Sequence, residues 1–328
     1  MKRSVFLGLG FAIFFGAMNA HAQTAAPKPW PNKTVKIISG LGPGSSMDLV
    51  ARLIAPALSE QWKQPVIVDN RVGAAGNVAA GVVAHTDDDH TLLIAQNAIT
   101  ISASLYPKLN YDLKKDLRLV TQLTSMPLVV LVNSAQPFKT IKELIDYAKQ
   151  NPNQLNFSSA GIGNADHMAA ELFNAKAGIS MVHVPFTSGA LALNALMAGS
   201  VQVYLAGLPV GLPQIKAGKV LALAVTTPQR SPALANVPTV AEALGAASPD
   251  FAMPLWYGVF AAPTASDAVV RQISADISKA LKSPELQTKI GAMGIDLVGS
   301  TPDAFKAFVY NDMNLWSDIV RAKNLKPE

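Results

Sequence analysis

The stretch VKIISGLGPGSSMDLVARLIAPAL, residues 35–58, decides the fold: a β-rich run stops in a glycine loop and an amphipathic helix begins. Val35, Ile37 and Ile38 read as a strand, Gly40, Gly42 and Gly44 as a turn, and Leu49, Val50, Leu53, Ile54 and Leu58 as a buried helical stripe. Ser45, Ser46 and Asp48 stand at the helix start. The first amides there have no intrahelical acceptor, so such an end is a ready anion site.

The same design returns at residues 155–177, LNFSSAGIGNADHMAAELFNAKA, where Ala160-Gly161-Ile162-Gly163 echoes Ser39-Gly40-Leu41-Gly42 and Asp166 precedes the helix. Strand–glycine–helix turns occur in most α/β domains simply because glycine allows tight turns. The pair says more than either copy. Open α/β sheets bind ligands beyond the carboxyl ends of their strands, and two helix tips on separate units can hold one anion between them. Neither loop is a nucleotide motif: no G-x-x-x-x-G-K-[ST] occurs, and Ser45 stands where a dinucleotide fingerprint needs its third glycine.

Upstream, Lys2 and Arg3 precede an apolar run at residues 5–17, and Ala20-His21-Ala22 forms an A-x-A site. This reads as a signal peptide over residues 1–22, cleaved near Ala22, and implies export to the periplasm. No cysteine is present, which excludes a disulfide or a lipid-modified N-terminus. Loss of Lys2 and Arg3 takes the formal charge from +5 to +3, with no concentrated basic patch for nucleic acid. The remaining chain of about 305 residues suffices for two domains of ordinary size.

Downstream, residues 64–69 read as a second strand, followed by a small-residue loop from Asn70 to Asn77 and a helix ending near Ala84. Arg71 is either a surface ion-pair partner or a tether for that loop, with the structural reading favoured. Asp87-Asp88-Asp89-His90 lacks the alternating ligands and glycine of a calcium loop and reads as a solvated turn. Residues 91–95 form a third strand, with Gln96, Asn97, Thr100 and Ser102 expected to line the same mouth as the first loop. Residues 119–133 are strand-like with Pro127 in their middle, which argues against a single central strand and suits a crossing between domains. An amphipathic helix at 139–150, strands at 181–185, 201–205 and 220–226, a proline-rich loop at 228–249 and a second crossing strand at 255–261 follow. Alternating strands and helices imply parallel sheets covered by helices. Two crossings return the C-terminal helices to the first domain. The expected divisions are 23–124 and 251–328 for domain 1 and 125–250 for domain 2.

Enzyme signatures are missing. There is no G-x-S-x-G elbow, no H-E-x-x-H and no histidine pair at ligand spacing; His167 and His183 read as hydrogen-bonded structural groups.

Several stretches, in order, resemble the Bug-type substrate-binding proteins of tripartite tricarboxylate transporters. They are Pro43-Gly44-Ser45-Ser46-Met47-Asp48, Val68-Asp69-Asn70-Arg71, Ser159-Ala160-Gly161-Ile162-Gly163, Val182-His183-Val184-Pro185-Phe186, Ile215-Lys216-Ala217-Gly218-Lys219 and Val237-Pro238-Thr239-Val240. The resemblance spans essentially the whole mature chain. It implies a two-domain α/β periplasmic binding protein of type II, a Venus flytrap with two parallel-rich mixed sheets flanked by helices, monomeric, non-enzymatic and without a cofactor. Such a receptor binds a small carboxylate and hands it to the membrane permease subunits of a tripartite tricarboxylate transporter.

The site residues that the resemblance implies are Gly44, Ser45, Ser46 and Asp48 in the first loop, Gly163, Asn164 and Ala165 in the second, and Thr187, Ser188 and Gly189 after the next strand. Leu41, Gly42, Asn97, Asp166 and Ala206 complete the candidate set. For Asp48 and Asp166 two roles stay open, ligand contact or holding a loop and helix terminus, since a carboxylate repels an anionic guest. Departures from the family pattern bear on the solute: Gly40, Leu41, Met47 and Phe186-Thr187 replace commoner residues, and Ala206 stands where many members carry an aspartate that meets a ligand amine. These changes tilt the expected solute toward an organic acid with an apolar or aromatic body. The rival readings are a sensory receptor built on the same clamshell and an exported hydrolase of small esters or amides.

Overall fold

The computed structural model describes residues 29–106, 108–249 and 251–323; the signal-peptide assignment lies outside the described residues. Strand β1 (Val35–Ser39) leads through the first glycine loop into helix α1 (Ser46–Trp62), then β2 (Val66–Asn70), α2 (Asn77–Ala84), β3 (Thr91–Gln96) and α3 (Ala98–Leu105). The three strands run parallel in the order β2-β1-β3. Val35, Ile37 and Ile38 are buried, as are Val50, Ile54 and Leu58 of the helical stripe. Leu49 of that stripe lies exposed and Leu53 half-buried.

The long strand β4 (Arg118–Asn133) organises the rest. Residues 118–127 pair with β9 (Pro254–Ala261), which joins β3 on its other edge; residues 128–133 pair instead with β7 (Val203–Gly207) and β8 (Val220–Val225). At the handover Pro127 stands opposite Pro254. Neither proline has an amide to donate, so the ladder is interrupted where one sheet gives way to the next. Proline therefore does not break the strand, as its central position suggested; it marks the seam between two sheets.

In the second sheet β5 (Asn156–Ser159) lies between β6 (Val182–Pro185) and β7, all parallel. Helices α4 (Ile141–Gln150), α5 (Ala165–Ala177), α6 (Gly189–Met197) and α7 (Leu208–Lys216) connect these strands, and the short α8 (Val240–Leu244) follows β8. Helix α4 opens with a reciprocal capping box between Thr140 and Glu143.

The chain returns at Thr226. Its amide donates to Leu128 O at 2.9 Å, its hydroxyl donates to Met253 O at 2.7 Å, and Met253 N donates to Thr226 O at 2.8 Å. Strand β9 itself stays in the first sheet along its whole length, so the expected second crossing strand is corrected to a crossing just before Pro254. Helices α9 (Asp267–Ala280) and α10 (Pro284–Gly291), strand β10 (Asp296–Leu297) and helix α11 (Pro302–Lys323) close the chain. They pack on the first sheet: α9 against α1 and β4, and α11 against α3 and β4. Asp312 of α11 accepts from Thr100 Oγ1 at 2.6 Å and from Trp256 Nε1 at 3.3 Å. Thr100 and Ser102 are therefore fully buried beneath α11 and α2 instead of lining a mouth.

Candidate functional site

The first loop is held by its own acid. Asp48 is buried and accepts from Gly44 N at 2.9 Å, Asn70 Nδ2 at 2.9 Å and Arg52 Nε at 3.0 Å. Burial alone would raise its pKa, but the bonds from Arg52, Gly44 and Asn70 outweigh it and hold the carboxyl below its ordinary range. These bonds tie the Asp48 carboxylate to its own loop, to Asn70 and to Arg52. Gly44 adopts a φ of +80°, and Ser45 caps α1 by accepting from Asp48 N at 3.2 Å. The hydroxyl of Ser46 lies 2.6 Å from that of Tyr257 on β9. The amides of Ser46 and Met47 find no acceptor among the described residues. Leu41 leans on the core, its carbonyl accepting from Asn70 Nδ2 at 2.8 Å, and Gly42 O accepts from Ser45 N at 3.2 Å. A Cβ on Gly40 would sit 2.7 Å from Gly76 Cα, so the loop before α2 packs backbone to backbone against the first loop.

The second loop is more fully paired. Gly161 N donates to Ser159 Oγ at 3.1 Å, Gly163 N to His167 Nδ1 at 3.2 Å and Ala165 N to Asn164 Oδ1 at 2.7 Å. Asp166 is buried and accepts from Ala160 N at 2.7 Å, His167 N at 2.9 Å and Tyr204 Oη at 3.1 Å. It too holds its loop. Burial outweighs those bonds and pushes its pKa up to about 6. His167 and His183 stack at 4.0 Å, with Phe157 4.9 Å from His183, and burial lowers the two imidazoles to about 3 and about 4. His183 Nε2 lies 2.6 Å from Ser159 Oγ. The pair is a neutral slab beneath the loop, hydrogen-bonded as the sequence suggests.

The two loops meet. Gln96 Nε2, at the end of β3, donates to Asn164 Oδ1 at 3.0 Å, and a Cβ on Gly163 would fall 2.8 Å from Leu105 Cδ2 of α3. Phe186 O lies against Gly161, which sets the turn carrying Thr187, Ser188 and Gly189 beside the second loop. Thr187 is exposed there, and Ser188 caps α6 by accepting from Leu191 N at 3.3 Å. Two candidates fall elsewhere. Asn97 is buried with its amide bonded to Pro254 O at 3.1 Å and Trp256 N at 3.0 Å, which fixes the crossing. Ala206 is buried in β7 among apolar side chains and offers the cleft no surface.

Beside the tip of α1 opens a cavity of about 540 Å³. Ser46 and Leu49 of α1 line it together with Pro209, Val210 and Lys216 of α7 and Met293. Sequence reasoning missed this wall because Pro209 and Pro213 hide a helix that begins with proline in its first turn, where a missing amide costs nothing. The acidic turn near β3 is committed internally: Asp88 pairs with Lys33 at 3.1 Å, while His90 Nδ1 meets Asp89 Oδ1 at 2.6 Å and Nε2 accepts from Asn32 N at 3.1 Å.

Residues 50–325 match the family described as tripartite tricarboxylate transporter family receptor. The UPF0065 protein of the tcbD–tcbE intergenic region of Pseudomonas sp. strain P51 is 31% identical over 320 residues, covering 97% of this chain and 94% of its own. Among solved structures, R. palustris Rpa4515 with adipate is 30% identical with a TM-score of 0.83, covering 91% of this chain and 100% of that one. MatC from Rhodopseudomonas palustris with bound malate is also 30% identical, with a TM-score of 0.79 over 88% of this chain and 99% of that one.

Proposed function

The chain belongs to the tripartite tricarboxylate transporter receptors, the Bug-type periplasmic binding proteins, and from that premise we propose that it captures a small organic carboxylate and delivers it to a tripartite membrane permease. One observation carries the ligand class. The free amides of Ser46 and Met47 sit at the positive end of a 17-residue helix, beside a cavity walled by α1 on one side and α7 on the other. A carboxylate at that tip gains charge-assisted hydrogen bonds of about 1.5–3 kcal/mol each, so the two amides supply part of the roughly 8 kcal/mol of a micromolar affinity and contacts from the second lobe must supply the rest. Leu49, Val210 and Met293 offer an apolar bed for the rest of the solute, and Lys216 a cation at its far side. Dicarboxylates in two relatives are consistent with this reading.

The lobes we assign are the described residues before the seam at Pro127 together with those from Pro254 onward, and the described residues between them, a division a few residues from the boundaries expected at 124 and 250, hinged at the paired prolines of β4 and β9. Ser46, Gly163, Asn164, Thr187 and Ser188 face the cleft between them. Asp48, Asn97, Asp166 and Ala206 shape it from behind. Export with cleavage after Ala22, action as a monomer and the absence of a catalytic step belong to the same reading. A thermal-shift screen over dicarboxylates, aromatic acids and amino acids tests it. A ligand at a hundredfold excess over Kd stabilises by about 2.7 kcal/mol. Hits confined to amino acids would overturn the assignment of solute class.

A further inference from the structure

We propose that the protein carries a second anion site, for a ligand of multivalent phosphate chemistry, in the cavity between residues 114–118, α9 and the start of α11. The cavity measures about 710 Å³, a usual size for a small-molecule site. Lys114, Lys115, Arg118, Arg271 and Lys306 line it, against the acids Asp267 and Asp303. Arg118 pairs with Asp267, and Lys115 with Asp112 at 3.3 Å. Lys114 and Lys306 form no ion pair among the described residues; Arg271 has no salt bridge at contact distance but acts on the nearby carboxylate of Asp267.

The two unpaired lysines share an aromatic neighbour. Their ammonium groups lie 4.9 and 5.7 Å from the centroid of one ring, that of Tyr310. The ring's negative face attracts each ammonium. Neither has a counter-charge at contact distance among the described residues, and an anion seated in the cavity supplies one. A single carboxylate can satisfy one of these cations, whereas a diphosphate, or neighbouring phosphate headgroups, can meet both lysines and Arg271 together, with the guanidinium of Arg271 suited to bidentate contact. Ser278 and Thr301 place hydroxyls on the same wall.

This site is separate from the cleft. Strand β4 runs from Arg118, at the cavity, to Pro127, at the seam between the sheets, roughly 30 Å at 3.3 Å per residue. A solute held at the tip of α1 is not its occupant.

Soluble phosphates and anionic lipid headgroups share the required chemistry, and one experiment separates them. Binding of pyrophosphate to the purified protein is measured by calorimetry at low salt, and co-sedimentation is measured with vesicles of phosphatidylglycerol in phosphatidylcholine or of phosphatidylcholine alone. The expected result is that the Lys114→Gln/Lys306→Gln variant loses affinity for the bound probe by about tenfold or more. Removing two distant lysines that form no ion pair among the described residues, as Lys149→Gln/Lys176→Gln, is expected to change it little. Pyrophosphate binding assigns the site to soluble phosphates, and binding to phosphatidylglycerol vesicles alone assigns it to headgroups. No binding of either probe, or equal losses in the two double variants, would overturn the proposal.

Discussion

Gln96 Nε2 donates to Asn164 Oδ1 at 3.0 Å, and this bond joins the end of β3 in one sheet to the cap of α5 in the other. It is a contact that exists only while the two glycine loops face each other. A typical hydrogen bond contributes about 0.5–1.5 kcal/mol net, so Gln96→Ala is expected to weaken solute affinity up to about tenfold by favouring the open receptor. Calorimetry together with the radius of gyration in solution reads both effects. Unchanged values of both would mean that the bond does not participate in closure.

Ser46 and Tyr257 form a second long-range pair, 211 residues apart in sequence, with hydroxyls 2.6 Å apart. Burial pushes the phenol up to about 12, so it keeps its proton at every working pH. Ser46→Ala would strand a buried hydroxyl, at a cost of about 1–3 kcal/mol. Adding Tyr257→Phe removes the stranded group, and the double variant is expected to regain most of that stability in denaturant unfolding. Additive losses in the cycle would show that the pair is not coupled.

These pairs explain what the sequence could and could not carry. The loop at 40–45, the cap at Ser45 and the second copy at 160–166 depend on residues a few positions apart, and local pattern reports them. Gln96 finds Asn164 across 68 positions, through a topology that no window contains. The same limit misplaced Asn97 and Ala206: Asn97 follows the end of β3 but is bound to β9, and Ala206, expected just past a strand ending at 205, lies inside β7 and is packed in the core. Asp48 and Asp166 were legible as helix-start acids, while their burial and internal partners were not. Pro127 was legible as a seam because a missing amide is a property of the residue itself.

The pH response is expected to combine opposing groups. Asp166 rises from 3.8 to about 6 on folding, so the folded state binds its proton more tightly, and this group adds stability as pH falls from about 7 toward 4. That span corresponds to about 3 kcal/mol. His167 and His183 fall from 6.5 to about 3 and about 4, so they subtract stability over a similar window. Asp166→Asn should therefore lose Tm between pH 7 and pH 5 relative to the parent, and His183→Asn should gain it. Melting curves at the two pH values decide this, and slopes of equal sign in the two variants would refute the balance.

Gly163 concentrates two constraints at the meeting of the loops. Its φ of +74° is a left-handed conformation, which costs an ordinary L-residue about 1–2 kcal/mol, and an added Cβ would lie 2.8 Å from Leu105 Cδ2 across the cleft. Gly163→Ala should thus act twice, straining its own loop and pushing α3 away from the cap of α5. The backbone cost destabilises the protein with or without solute. The steric cost arises only when the loops approach, and so it appears in binding. The expected outcome is a modest loss of Tm with a larger loss of affinity, about tenfold or more, and trimming the neighbour with Leu105→Ala should restore affinity while leaving the backbone strain in place. If affinity does not recover in the double variant, the penalty lies within the loop itself and the contact with Leu105 plays no part in closure.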